Sequence, residues 1–143
     1  MKLFLKLVFL AVLGAAACVA ACSKSTPTTP TTPPAAPTTS EPFNGILPVG
    51  GFKFYSFTIV QNGTVNISLV SVTGNGVSPT VTLNLGLGHP AGTDCNATSV
   101  STSVAATQPQ ITSVYAPGVW CVKIADAGNL VAPATFLITI DHP

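Results

Sequence analysis

Apolar and polar side chains alternate along most of residues 43–143, and this pattern constrains the fold more than any other feature of the sequence. The alternation is clearest in two successive runs, whose apolar odd positions are Tyr55, Phe57, Ile59, Val65, Ile67 and Leu69. A period of two places one set of side chains on one face of a β-strand. Asn62-Gly63 lies between the runs and is typical of a tight turn, so the two strands are predicted to pair as a hairpin.

The same alternation continues to the end of the chain, and no segment after Cys22 has a helical period. Further strands are predicted over residues 81–87, 99–104, 110–115, 119–124 and 135–141. Glycine-rich loops are predicted at 73–79 and 88–94, and a turn at 126–129. Seven or eight short strands, separated by turn residues about every 8 to 12 positions, predict an all-β fold. An antiparallel β-sandwich is the first choice and a barrel the second.

Composition divides the chain at about residue 43. Residues 43–143 are enough for one small core and are predicted to be the β-sandwich domain. Residues 22–42 begin with a cysteine, are otherwise dominated by Thr and Pro, and contain no large apolar side chain. They are therefore predicted to be a disordered linker. Proline-rich segments favour polyproline II at about 3.1 Å per residue, and such a linker would act as a stalk of up to about 60 Å.

The start of the chain resembles a bacterial lipoprotein signal peptide. Basic residues precede an apolar stretch at 7–17, and Val19-Ala20-Ala21-Cys22 is similar to a lipobox. The resemblance implies cleavage after residues 1–21 and a diacylglycerol lipid on Cys22, which would anchor the protein in a membrane. Cys18, preceded by three alanines, is a weaker lipidation candidate. An ordinary cleaved signal peptide is the alternative.

The residue after the lipidated cysteine bears on the destination. In lipoproteins of this kind an Asp in that position is associated with retention in the inner membrane, whereas this chain has Ser23. The resemblance therefore favours the outer membrane over the inner membrane of the cell envelope.

Charged residues are scarce, and their scarcity limits the function. Without residues 1–21 the chain has three lysines, no arginine and four acids, Glu41, Asp94, Asp126 and Asp141. So few cations cannot neutralise many phosphates, so nucleic acid is not expected as a partner. His89 lies in a predicted loop and His142 is second from the end. Neither belongs to a nucleophile or metal motif, so no catalytic activity, metal or cofactor is predicted.

Cys95 and Cys121 are predicted to form a disulfide. An exported chain enters a compartment where disulfides persist, and closing this loop would stabilise a small domain by about 3 to 4 kcal/mol. The bond would tie the loop at 88–96 to the strand of Trp120. The alternative, a redox or metal pair, lacks a Cys-x-x-Cys motif.

Four segments of the domain resemble the bacterial pre-peptidase C-terminal domain. They are residues 54–58, 63–69, 117–124 and 135–140, in the order that the family shows. The resemblance covers nearly all of residues 43–143 and implies a jelly-roll-like sandwich with an accessory role in targeting, solubility or substrate binding. Some family members resemble calcium-binding modules with acidic residues around the middle strand. Residues 78–84 have none, which leaves a calcium site without support.

Two exposed-aromatic candidates and two functions remain open. Tyr115 and Trp120 are candidate glycan contacts. The alternative for Trp120 is a core position, because it alternates in step with the apolar residues Val122 and Ile124. The first function is a surface binding or adhesion module for a polysaccharide or an envelope protein. The second is a structural or accessory envelope lipoprotein that binds no small ligand. An exposed aromatic groove would favour the first, and a long uncovered strand edge the second.

Overall fold

The structure, a computed structural model, describes residues 32–143. This part of the chain forms eight β-strands and contains no helix. Their bounds are β1 Thr39–Leu47, β2 Phe52–Ile59, β3 Gly63–Thr73, β4 Leu83–Ala91, β5 Asp94–Ser103, β6 Ile111–Tyr115, β7 Gly118–Asp126 and β8 Ala134–His142. The predicted signal peptide, the lipidation at Cys22 and the first part of the predicted linker lie outside the described residues.

The strands form two antiparallel four-stranded sheets that pack face to face. One sheet has the order β1-β8-β3-β6 and the other β2-β7-β4-β5. This is the strand order of a jelly roll, in which two sheets of four strands are joined by Greek-key connections. The predicted all-β antiparallel sandwich is therefore confirmed.

The core lies between the two sheets and takes alternate side chains from both. The fully buried residues include Leu47, Ile59, Ile67, Leu85, Ile124 and Phe136. Every member of this cluster lies between Phe43 and Ile140. Residues 32–143 thus contain a continuous hydrophobic core, and we expect them to fold on their own.

The predicted hairpin of β2 and β3 is wrong. β2 pairs with β7, whereas β3 pairs with β6 and β8 in the opposite sheet. Both strands still direct their apolar residues into the same core, from opposite sides, so alternation cannot distinguish a hairpin from a crossing between sheets. Gly63 is not a turn residue with positive φ. It lacks a side chain where the backbone of Ala35 and the ring of Pro143 pack against it.

The first strand begins inside the segment that composition assigned to the linker. β1 starts at Thr39, and Ala35 already forms a parallel bridge with Gly63. Pro42 is tolerated in β1 because this strand lies at a sheet edge, where a missing N–H leaves no ladder bond unmade. The folded domain therefore extends eight residues further toward the N-terminus than the predicted boundary at 43, as far as Ala35.

β4 and β5 form the one hairpin between successive strands of residues 32–143. They extend well into the loop predicted at 88–94, and the turn is reduced to Gly92 and Thr93, with Gly92 at a φ of 61°. Pro90 lies in β4 beyond Gly88, the last residue that pairs with β7. The proline therefore interrupts no hydrogen bond to the central strand.

Candidate functional site

The outer face of the β2-β7-β4-β5 sheet has no side chains along part of β4. A Cβ atom on Gly88 would overlap the backbone of Asn96, and a Cβ on Gly86 would lie 2.7 Å from the Cβ of Ala97. The pairing of β4 with β5 shifts register between Leu87 and Gly88, which marks a β-bulge. Bulges bend a strand locally. Here the bend brings β5 over the bare backbone of β4.

The disulfide Cys95–Cys121 holds this bend in place. Cys95 lies in β5 and Cys121 in β7, with β4 between them, yet their Cα atoms are only 5.9 Å apart. Two strand spacings in a flat sheet would be about 9.6 Å. The end of the β4–β5 hairpin therefore arches across β4 toward β7. The predicted bond is confirmed, and it ties the hairpin end to the strand that contains Trp120.

The arch and the sheet enclose an open groove of about 440 Å³, which we call the Gly86 groove. Its lining includes Asn84, Gly86, Asn96, Val100, Lys123 and Ala125. This volume lies within the range of about 300 to 1,000 Å³ found for small-molecule sites. The groove has an apolar floor of glycine and alanine and a rim of amide and charged side chains.

An ion pair forms one wall of the Gly86 groove. Nζ of Lys123 donates to Oδ1 of Asp94 at 2.7 Å, and the same oxygen accepts the backbone N–H of Cys95 at 2.6 Å. The bond from Lys123, followed by the bond from Cys95, lowers the pKa of Asp94 below its ordinary value. Lys123 also lies over the ring of Phe52, with Nζ 4.2 Å from the ring centre. The two charges of the wall compensate each other.

Some polar atoms of the groove keep free hydrogen-bonding capacity. Oδ1 of Asn84 accepts from Oγ1 of Thr102 at 2.8 Å, and among residues 32–143 the Nδ2 of Asn84 has no partner. Within the same range, Oδ2 of Asp94 and the side chain of Asn96 make no hydrogen bond. The groove thus offers both donors and acceptors to a ligand.

The predicted glycan contacts lie together but outside the Gly86 groove. The ring of Trp120 packs against that of His89, with centres 4.0 Å apart, and against the edge of Tyr115 at 4.7 Å. Nε1 of Trp120 donates to the carbonyl of Ala116 at 3.0 Å, and the Tyr115 hydroxyl lies 3.1 Å from Oγ of Ser99. Both aromatics are half-buried against the core. Glycan contact through them stays a prediction.

His89 packs against the same aromatic cluster. Its ring packs on Trp120, and Nδ1 lies 3.2 Å from the carbonyl oxygen of Val119. In the described range 32–143, no group of three His, Cys, Asp or Glu side chains is placed to hold a metal ion. Residues 32–143 also contain no helix long and apolar enough to span a membrane.

A second polar cluster joins the two sheets where their edge strands β1 and β2 meet. Tyr55 donates its hydroxyl to Oε2 of Glu41 at 2.6 Å, and Nε2 of His142 lies 2.9 Å from Oε1 of the same carboxylate. The hydrogen bond from Tyr55 is the main cause that lowers the pKa of Glu41 and raises that of Tyr55. His142 is 4% exposed and packs on Phe57, so it is part of the core edge and not a free terminal residue.

Sequence reasoning missed both this cluster and the Gly86 groove. Glu41, Tyr55 and His142 are separated by 14 and 101 residues, and no local motif relates them. The groove left one weak signal, since Gly86 and Gly88 interrupt an otherwise regular strand and glycine inside a strand often marks a bulge or a close backbone approach.

Comparison with known proteins leaves the fold as the established property. No family model matches the chain, and no match was found among curated proteins. The resemblances to a lipoprotein signal and to the pre-peptidase C-terminal domain stay predictions. Fold and site together define residues 32–143 as a small disulfide-bonded jelly-roll sandwich with a groove on the outer face of the β2-β7-β4-β5 sheet.

Proposed function

We propose that this protein is a non-catalytic, lipid-anchored lipoprotein of the cell envelope that presents a β-sandwich on a Thr/Pro-rich stalk and binds an envelope or extracellular component in the Gly86 groove. The observation that carries the proposal is the groove itself, a concave site of about 440 Å³ with an apolar floor and unpaired polar atoms. Such sites are the default binding sites of small domains.

The anchoring part of the proposal rests on the N-terminal sequence. Lipid on Cys22 would hold the domain at the membrane, with the outer membrane favoured by Ser23. Several acyl chains together form a stable anchor, because each buried methylene contributes about 0.8 kcal/mol. The stalk would then allow the groove to reach material beyond the membrane surface.

The non-catalytic part is supported by how the ionisable side chains are used. Glu41 is engaged by Tyr55 and His142, and Asp94 by Lys123. Asp126 accepts four backbone N–H groups from two loops. These carboxylates hold strands and loops together, which is a structural use of charge.

The anchor is tested by metabolic labelling with a palmitate analogue, followed by membrane fractionation. We expect Cys22→Ser to abolish labelling and release the protein from the membrane fraction. Cys18→Ser is the matched control and should leave both unchanged. If labelling is lost with Cys18→Ser instead, the lipid is on Cys18. If the wild-type protein takes up no label at all, the anchor is removed from the proposal.

Binding is tested by capture from envelope extracts and from insoluble polysaccharides, using a soluble form of residues 23–143 exported so that the disulfide forms. Ala125→Trp fills the groove from its floor, whereas Val114→Trp places the same indole side chain at an exposed position of β6. We expect the first variant to lose capture and the second to keep it. Equal capture by both would rule out the groove as the binding site.

One observation favours the alternative, an accessory lipoprotein that acts through another envelope protein. β5 is a sheet edge of ten residues that pairs only with β4, and after Asp94 it contains no proline or charged residue. Edges of this kind can accept a strand from a partner. In that case Ser101→Pro would abolish capture of a protein, while Ala125→Trp would not.

A further inference from the structure

The charge balance of the Gly86 groove restricts its ligand. Asp94 and Lys123 are the charged residues that line it, and they are bonded to each other at 2.7 Å. An anionic ligand would have to compete with Asp94 for the one lysine, and a cation would have to compete with Lys123 for the one carboxylate. The groove therefore suits a ligand without net charge.

The free polar atoms of the groove match hydroxyl groups. Nδ2 of Asn84 is a donor, Oδ2 of Asp94 is an acceptor, and the amide of Asn96 supplies both. A hydroxyl group donates one hydrogen bond and accepts others, so neighbouring hydroxyls can satisfy a mixed set of this kind. A purely apolar ligand would leave these atoms without partners, at a cost in affinity.

The floor of the groove is carbon and lies close to an aromatic ring. Gly86 and Ala125 form the floor, Val100 forms a wall, and Phe52 pairs with Ala125 in the adjacent strand. Phe52 is 41% exposed. A ligand with C–H groups on one face and hydroxyls at its margin would contact carbon below and polar atoms at the rim.

We infer that the Gly86 groove binds neutral saccharide units, an inference that rests on the binding function proposed above. Asn84 and Asp94 hydrogen-bond to ring hydroxyls, and the Gly86–Ala125 floor packs against the carbon face of the sugar ring. Because the groove is open, the bound unit can belong to a longer polysaccharide.

The test is an NMR titration of isotope-labelled residues 23–143 with defined oligosaccharides. The neutral probes are cello-, malto-, manno-, xylo- and chito-oligosaccharides, and the anionic probes are oligogalacturonate and hyaluronate fragments. We expect at least one neutral probe to shift the amide signals of Asn84, Gly86 and Asn96 in a saturable way. Shifts from anionic probes alone, or from none of the neutral probes, would overturn the inference.

A matched pair of variants assigns the contact. Asn84 and Asn66 each accept a bond from a threonine on a neighbouring strand, at 2.8 Å from Thr102 and 2.9 Å from Thr112, but on opposite sheets. We expect Asn84→Ala to weaken binding about tenfold, which corresponds to one or two hydrogen bonds, and Asn66→Ala to leave it unchanged. Equal effects, or shifts centred on Tyr115 and Trp120, would move the saccharide away from the groove.

A variant that changes the charge of the groove tests its preference for neutral ligands. Asp94→Asn leaves Lys123 without its counter-ion, so we expect it to weaken binding of the neutral probe and to strengthen binding of the anionic ones. An unchanged preference would contradict the argument from charge balance. If Ala125→Trp abolishes capture of an envelope component while no neutral probe binds, the binding function stands and the saccharide assignment falls. If nothing is captured, the binding function falls too.

Discussion

Glu41 and His142 lie 101 residues apart in the chain, and Nε2 of His142 is 2.9 Å from Oε1 of Glu41. They belong to β1 and β8, which run side by side, and Tyr55 reaches the same carboxylate from β2 in the other sheet. Three strands from two sheets therefore meet at one carboxylate. This cluster closes the side of the sandwich where the chain enters its first strand.

The first prediction concerns this cluster. Removing the hydroxyl with Tyr55→Phe should lower the free energy of unfolding by about 1 to 2 kcal/mol near neutral pH, because a hydrogen bond to a charged acceptor is lost. The pKa of Glu41 is lowered in the folded protein, so its contribution is present above the ordinary value of 4.5 and is lost as the pH falls through the folded value. The difference between wild type and variant, measured by urea unfolding, should therefore shrink in acid.

Tyr115→Phe is the control for this measurement. The Tyr115 hydroxyl bonds to Ser99, a neutral partner, at 3.1 Å. Its removal should have a smaller effect that does not depend on acid pH. A Tyr55→Phe difference that stays constant from about pH 6 to about pH 3 would contradict the assigned role of Glu41.

The second prediction concerns the disulfide. Replacing both Cys95 and Cys121 by Ala should lower the free energy of unfolding by about 3.5 kcal/mol, the chain-entropy value for a loop of this length. A reducing agent should destabilise the wild type by a similar amount and leave the double variant unaffected. Two free thiols in the exported wild-type protein, detected by intact mass after alkylation, would contradict the bond.

The third prediction concerns the glycine under the arch. Gly88→Ala should destabilise the fold by at least about 2 to 3 kcal/mol, because the added methyl group meets the backbone of Asn96 and Ala97, which cannot yield as a flexible side chain would. Gly45→Ala is the control, since its Cβ would lie 3.5 Å from the ring of Phe136, an ordinary contact. Thermal unfolding of the two variants compares them directly, and equal losses would argue against the arch.

The fourth prediction concerns Asp126, which joins two loops. Its Oδ1 accepts the backbone N–H groups of Gly128, Asn129 and Leu130, and its Oδ2 accepts that of Gly50 at 2.8 Å. The bond from Gly50 is the largest cause of its lowered pKa.

Asp126→Asn keeps one acceptor oxygen but turns the other into a donor that faces Gly50. We expect a loss of about 1 to 2 kcal/mol near neutral pH, which diminishes as the pH falls through the folded pKa of the wild-type carboxyl. Asp141→Asn changes the same charge on β8 and should be close to neutral. Urea unfolding of both variants tests the pair, and equal losses would show that net charge, and not the loop contact, matters.

Local sequence was sufficient for most of the strands, with β1 and the first half of β5 as exceptions, and insufficient for their partners. The alternation at Tyr55, Phe57 and Ile59 predicted the strand that is β2, and the run at 119–124 predicted the centre of β7. Local sequence could not predict which strands pair, because a strand with one apolar face can bury that face in a hairpin or against the opposite sheet. The Asn62-Gly63 signal favoured the hairpin, whereas the structure uses Gly63 for close packing against Ala35.

β1 was missed because composition outweighed pattern. Residues 39–42 contain one proline and no large apolar side chain, so they were assigned to the linker. Their strand conformation comes from pairing with β8, which replaces a local preference by backbone hydrogen bonds to a neighbouring strand.

The sequence by itself determined that this chain forms a small all-β sandwich and that Cys95 and Cys121 are candidates for a disulfide. Both follow from features that can be read directly from the chain, the period-two alternation and the number and position of the cysteines. Only the tertiary structure decided which strands pair, where Glu41, Tyr55 and His142 meet, and that β5 arches over Gly88 to enclose the Gly86 groove. Those features join residues that are distant in the chain, and their geometry depends on sheet order and on a single bulge, neither of which a local pattern encodes.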